Sequence, residues 1–148
     1  MAVPKVVINP GLSIQFTGQS PAIGSPTNII TPGQVSYQAS AFLYEAYFPA
    51  TIAGNTIAFN PIGVNYVPVV YVRNVDPINQ LTVQLTTIGG GGTLGFQLTQ
   101  NGFVFLFTPV SSTVGPGVGG IDSTTGLKVF NGTPAVSGTC ACEIFLAV

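Results

Sequence analysis

The stretch Tyr66–Phe107, YVPVVYVRNVDPINQLTVQLTTIGGGGTLGFQLTQNGFVFLF, decides the fold class. Within it Leu81, Val83 and Leu85 alternate with Thr82, Gln84 and Thr86, and Leu94, Phe96 and Leu98 repeat the two-residue period. That period puts the apolar side chains on one face of an extended chain. Tyr66–Asn74 is apolar at both parities, with Val67, Val69 and Tyr71 opposing Val70 and Val72. It reads as a central strand covered on both faces, despite Pro68. The separators are turn sequences: Asp76-Pro77-Ile78-Asn79, the glycines 89–92, and Asn101-Gly102. Each is expected to fold the chain back into a hairpin, so the sequence predicts a β-meander over residues 66–107.

The alternation continues on both sides. Leu12, Ile14 and Phe16 share one face of a half-buried strand. Val35, Tyr37 and Ala39 lead into Phe42, Tyr44, Ala46 and Phe48 with a change of phase at Ser40, where a bulge or bend is expected. Thr56–Phe59 is a short strand, and Leu127–Phe130 and Thr139–Val148 close the chain around Asn131-Gly132-Thr133-Pro134. Nineteen glycines and twelve prolines keep any 3.6-residue apolar period from lasting three turns, so no helix longer than two turns is expected. Residues 109–126, PVSSTVGPGVGGIDSTTG, have no period and are expected to form one long surface loop. The chain thus reads as all-β. The expected architecture is an N-terminal arm, 1–10, followed by a single-domain β-sandwich, 11–148, of nine or ten strands with jelly-roll connectivity.

At 148 residues the chain has room for one core. Its charges are Lys5, Arg73 and Lys128 against Glu45, Asp76, Asp122 and Glu143, a formal net charge of −1. Three cations cannot build the basic stripe that nucleic acid requires, so no nucleic-acid partner is expected. Histidine is absent, which removes the usual general base and the commonest zinc ligand. Glu45 and Glu143 lie inside alternating strands, as outward-facing or inter-subunit charges rather than as a catalytic pair. Gly115-Pro116-Gly117-Val118-Gly119-Gly120 matches the dinucleotide fingerprint in letters, but Ile121–Gly126 is not a helix-forming run to receive a phosphate. The glycines 89–92 likewise lack the Lys-Ser/Thr of a phosphate loop. No enzyme activity, cofactor or metal is expected.

Cys140 and Cys142 share a strand face with Ile144, Leu146 and Val148. A disulfide between alternate residues of one strand is strained, so buried, reduced thiols are expected. Arg73 ends a strand three residues before Asp76, and a turn-locking pair with Asp76 or hydrogen bonds to loop carbonyls is the simplest reading, with a partner contact as the alternative. Asn131-Gly132-Thr133 has the form of a glycosylation sequon and reads more simply as a turn. The start, MAVPKVVINPG, lacks the apolar stretch of a Sec signal, and no apolar run approaches a membrane-spanning length. With 5% charged residues and a mean hydropathy of +0.55, a free monomer would be sticky unless copies of itself or a partner cover its surface. Assembly is therefore the first functional expectation.

Tyr71–Phe107 resembles the core of small bacteriophage virion proteins: a strand ending in Arg-Asn, a Thr-rich strand, a Gly-rich turn, a strand, Asn-Gly and an apolar strand. Leu127–Val148, LKVFNGTPAVSGTCACEIFLAV, is similar to their closing segment, and together the two cover about 60 residues. The resemblance implies a capsid decoration (cement) or other minor structural protein, a β-sandwich or jelly roll assembled as a homotrimer. Its partners would be copies of itself and the major capsid protein, with no membrane. It would be made in the host cytoplasm and reside on the capsid surface of the virion. The resemblance identifies no binding residues. The residues expected at partner contacts are Ala2, Val3, Pro4, Lys5 and Val6 of the arm and Gly115, Gly117 and Gly119 of the long loop, where backbone groups are free to pair with an open sheet edge. Two other classes compete: a receptor- or carbohydrate-binding module using Tyr37, Tyr44, Tyr47, Tyr66 and Tyr71, and a self-polymerising extracellular filament subunit.

Overall fold

The alternating segments become strands in the structure, a computed structural model that describes residues 5–8, 35–38, 41–59, 66–67, 69–88, 92–107, 121–122, 125–133 and 138–147. The chain divides into two compact units, Met1–Ala39 and Ser40–Val148. In the first, β1 (Lys5–Ile8) pairs antiparallel with β2 (Val35–Gln38). This pairing joins Lys5–Ile8, within the expected arm 1–10, to a strand some thirty residues downstream. The expected strand at Leu12–Phe16 lies outside the described residues.

The second unit is built from β3 (Phe42–Ala50), β4 (Asn55–Ile57), β5 (Tyr66–Val67), β6 (Val69–Asn74), β7 (Leu81–Thr86), β8 (Thr93–Leu98), β9 (Phe103–Phe107), β10 (Ile121–Asp122), β11 (Leu127–Asn131) and β12 (Cys140–Ala147). Two four-stranded antiparallel sheets run in the orders β3-β12-β6-β9 and β4-β11-β7-β8, with β5 and β10 as a small third pair. Among the described residues there is no α-helix, and thus none long and apolar enough to cross a membrane. Taken along the chain, the eight strands of the two larger sheets nest: β3 pairs with β12, β4 with β11, β6 with β9 and β7 with β8.

Both sheets supply one hydrophobic cluster. Cys142, Ile144, Leu146, Val70 and Val72 come from one, and Leu81, Val83, Leu85, Leu127 and Val129 from the other. These side chains are essentially sealed from solvent, and each contributes roughly 1.5–3 kcal/mol by leaving water. In β3, Leu43 and Phe48 both pack against this cluster although five residues separate them. A β-bulge reconciles their parity: Cys142 lies opposite Phe48, but Ile144 lies opposite Glu45. Phe42 and Tyr44 therefore face away from Phe48, with which they were expected to share a face, and Ser40, where the phase change was expected, lies outside the described residues.

The predicted meander does not form. β7 and β8 make the expected hairpin, but β6 and β7, and likewise β8 and β9, lie in different sheets. The reason is the pair of crossings at Asn74. Its Nδ2 donates to the carbonyls of Asn79 (2.8 Å) and Leu98 (2.9 Å), and its Oδ1 accepts from the amide of Asp76 (2.9 Å). Its own amide donates to Gly102 O, and its carbonyl accepts from the amide of Asn101, the one non-glycine described with positive φ (62°). Asn101-Gly102 makes its turn, but the turn carries the chain from one sheet to the other.

Asp76 also departs from expectation. Residues 73 and 76 differ in parity, so Arg73 points outward while Asp76 is buried. The carboxylate accepts from the amides of Ile78, Asn79 and Ala141 instead of pairing with Arg73. Burial pushes its pKa up, but those amide hydrogen bonds outweigh burial and hold it below the ordinary carboxylate value. Within the expected loop 109–126, Ile121 and Asp122 pair with Val67 and Tyr66, and Ile121 is buried because it fills the end of the core. Asn131 is buried, with its Nδ2 donating to Gly138 O and its Oδ1 accepting from Thr133 N, as the turn reading of the sequon requires.

Cys140 and Cys142 are free and sit on the inner face of β12. Cys142 Sγ donates to Phe48 O at 3.4 Å, and Cys140 Sγ to Asn74 Oδ1 at 3.6 Å. Burial pushes their thiols up to about 11 and about 12, so the reactive thiolate is scarce at neutral pH. A disulfide-forming thiol reagent at pH 8 is expected to leave both unmodified in the native protein and to modify both once it is denatured in urea. Rapid native labelling would show that β12 opens to solvent.

Candidate functional site

The two sheets differ on their outer faces. On the sheet β4-β11-β7-β8 this face carries Thr82, Gln84, Thr86 and Gln97, with the Thr86 and Thr93 hydroxyls 3.1 Å apart and Lys128 Nζ 4.8 Å above the Phe130 ring. The sheet β3-β12-β6-β9 is aromatic instead. Its register sets Tyr44 opposite Phe145, Phe145 opposite Tyr71 and Tyr71 opposite Phe105, a row of four rings spanning all four strands. Phe42 stacks on Phe145 with ring centres 6.2 Å apart, and Phe103 lies 6.1 Å from Tyr71. Phe42, Tyr44 and Phe103 are more than half exposed, and Tyr47, in the bulge, is 78% exposed.

A polar seam crosses these rings. Glu143 Oε1 accepts from the Tyr44 hydroxyl at 2.9 Å, and Oε2 from the Tyr71 hydroxyl at 3.4 Å. Oε2 also lies 3.8 Å from Arg73 Nη1, while Arg73 Nη2 donates to Asn101 Oδ1 at 3.0 Å. The hydrogen bond to Glu143 raises the pKa of Tyr44, and burial, then the Glu143 charge, raises that of Tyr71. Both phenols therefore stay protonated donors. The one cation and one carboxylate of this seam neutralise each other within the chain, leaving a surface that is aromatic and locally uncharged.

The second feature is an open groove of about 530 Å³ between β8 and β9, the strands that end the two sheets. Leu94, Phe96 and Leu98 stand opposite Leu85, Val83 and Leu81, so they share the face that builds the core. Only Leu98 is buried; Leu94 is 57% exposed and Phe96 37%. On β9, Val104 reaches the core and Leu106 is partly buried. No residue lining the groove is charged, and its one polar side chain able to hydrogen-bond, Gln97, donates to Gln80 Oε1 at 2.6 Å. Phe103 and Phe105 belong to both features, so the apolar surface runs from the sheet face around the β9 edge into the groove.

The residues expected at contacts are placed only in part. Lys5 and Val6 lie on β1, in register with Gln38 and Tyr37. Ala2, Val3, Pro4, Gly115, Gly117 and Gly119 lie outside the described residues. Of the five tyrosines, Tyr44, Tyr47 and Tyr71 come together on one face, while Tyr37 and Tyr66 belong to strands β2 and β5. Sequence reasoning missed Leu94, Phe96, Phe103 and Phe105 as surface residues, since their alternation reads as core or as buried strand. It also did not foresee Glu143 facing Arg73, because that pair depends on the register of β12 against β6. Among the described residues no three His, Cys, Asp or Glu side chains gather in a way that could hold a metal. No family model, curated protein or solved structure matches the chain.

Proposed function

We propose that this chain is a non-enzymatic structural subunit of a bacteriophage virion, a capsid decoration protein that assembles as a homotrimer and binds the outside of the capsid lattice. In this reading the second unit is a jelly-roll β-sandwich. Its nested pairing supports that: counted along the chain, the eight strands fall 1-8-3-6 and 2-7-4-5 in the two sheets, as in a long antiparallel hairpin rolled into two Greek keys. Such folds host many functions, so the surface must carry the argument. The observation that carries it is Leu94 and Phe96, side chains on the core face of β8 that the chain itself leaves in solvent. An apolar surface of this kind calls for a covering partner. The virion assignment draws on the resemblance of Tyr71–Phe107 and Leu127–Val148.

Purified protein incubated with capsids that lack it is expected to cosediment and to appear by electron microscopy as regular density on the outer surface. Protein found only on tails, or only in free filaments, overturns the decoration reading. A carbohydrate-binding module is the second reading, favoured by the two tyrosine hydroxyls and Arg73 around Glu143 among exposed rings. Retention on a glycan array that is lost in Tyr44→Ala selects that reading.

A further inference from the structure

We infer that the groove between β8 and β9 of one copy receives the aromatic ridge of β3, Phe42, Tyr44 and Tyr47, from a second copy, making a head-to-tail contact. The inference rests on the proposed assembly and names its two surfaces.

The groove is a defect in the core of one protomer. Its inward positions, Leu94 and Phe96, want apolar cover, and among its lining side chains only Gln97 is polar, with its Nε2 already given to Gln80. Charge excludes other occupants. A basic or acidic peptide finds no counter-charge among the lining residues, and a nucleic-acid backbone finds no free cation on the adjoining face, where Arg73 is held by Glu143 and Asn101. The fitting occupant is uncharged, apolar and projecting. A second copy supplies such a surface at the opposite end of the same sheet. There β3, the terminal strand in the order β3-β12-β6-β9, presents Phe42 at 58%, Tyr44 at 53% and Tyr47 at 78% exposure. Exposed tyrosines are effective anchors because they bury a large ring while keeping a polar tip.

In the proposed homotrimer the pairing is head-to-tail, each ridge seated in the groove of the next copy. A concave groove is not complementary to itself under a two-fold axis, whereas ridge and groove lie on different strands and fit each other. Contacts of this type close into a ring or continue as a filament, according to the rotation between neighbours. The formal net charge of −1 places no strong repulsion between copies. The contact should therefore respond little to salt.

The test uses two variants at exposed positions, Leu94→Asp in the groove and Tyr47→Asp on the ridge, each checked by circular dichroism for an unchanged fold. Sedimentation is expected to give a closed oligomer for the wild-type chain and a monomer for each variant, with association weakened roughly 30-fold or more. Mixed in equal amounts, the variants are expected to form a one-to-one heterodimer, because one intact ridge then meets one intact groove. The inference is overturned, with the assembly reading intact, if the wild type oligomerises and either variant does so equally well. It is also overturned if the mixture stays monomeric. A wild-type monomer at tens of micromolar overturns the homotrimer itself, and capsid cosedimentation then decides whether decoration survives without it.

Discussion

Replacing Asn74 by alanine is expected to cost about 3–5 kcal/mol of stability, a large fraction of the roughly 5–15 kcal/mol that holds an ordinary domain folded. The truncation removes partners from three backbone groups at once: the carbonyls of Asn79 and Leu98 and the amide of Asp76. Asn74 is fully buried, so water does not readily replace it, and each orphaned group costs on the order of 1–3 kcal/mol. Asn74→Leu separates this cost from that of an emptied volume, because leucine fills the space and still satisfies none of the three groups. Asn74→Asp keeps an acceptor for Asp76 N but points a buried carboxylate at two carbonyls, and it is expected to be at least as destabilising at pH 7. Urea unfolding followed by circular dichroism measures all three. A loss below about 1 kcal/mol for Asn74→Ala, or full stability for Asn74→Leu, would mean that the two crossings are held by something else.

Gly126→Ala is expected to cost about 3 kcal/mol, at the upper end of the overpacking range. An added Cβ would lie 2.4 Å from Asp122 O, 2.5 Å from Asp122 N and 2.4 Å from Ile121 Cγ2. Two of these atoms are backbone and cannot swing aside. Moving them displaces Ile121 from the core and strains the hydrogen bonds from Gly126 N to Asp122 O and from Thr86 N to Gly126 O. The control is Gly95→Ala on β8, where an added Cβ meets nothing within 4 Å, and its stability should stay within about 0.5 kcal/mol of the wild type. Thermal unfolding that ranks the two variants equally would remove the close-approach argument at Gly126.

Most strand positions, and many side-chain orientations, were legible in the sequence. Leu81, Val83 and Leu85 face inward with Thr82, Gln84 and Thr86 outward, and Cys140, Cys142, Ile144 and Leu146 share the buried face of β12. The Asp76–Asn79 and Asn101-Gly102 turns were legible as turns, but not as crossings between sheets. Their local chemistry is the same whether the strands they join pair with each other or with strands elsewhere in the chain. The candidate surface was hidden for a related reason. Phe96 and Val83 carry the same period-two signal, and only the position of β8 at the end of its sheet leaves Phe96 partly in water.

What the sequence determined by itself is the all-β class, the approximate span of most strands and, in β7 and β12, the residues that turn inward. These follow from backbone sterics and one-sided burial, which act within a few residues and leave their period in the chain. Tertiary structure alone decided which strands pair, where β3 bulges, and which inward side chains remain uncovered. Those outcomes join residues as distant as Phe48 and Cys142, or Arg73 and Glu143. Their energy lies in a shared core and a common register, and no window along the chain contains both partners.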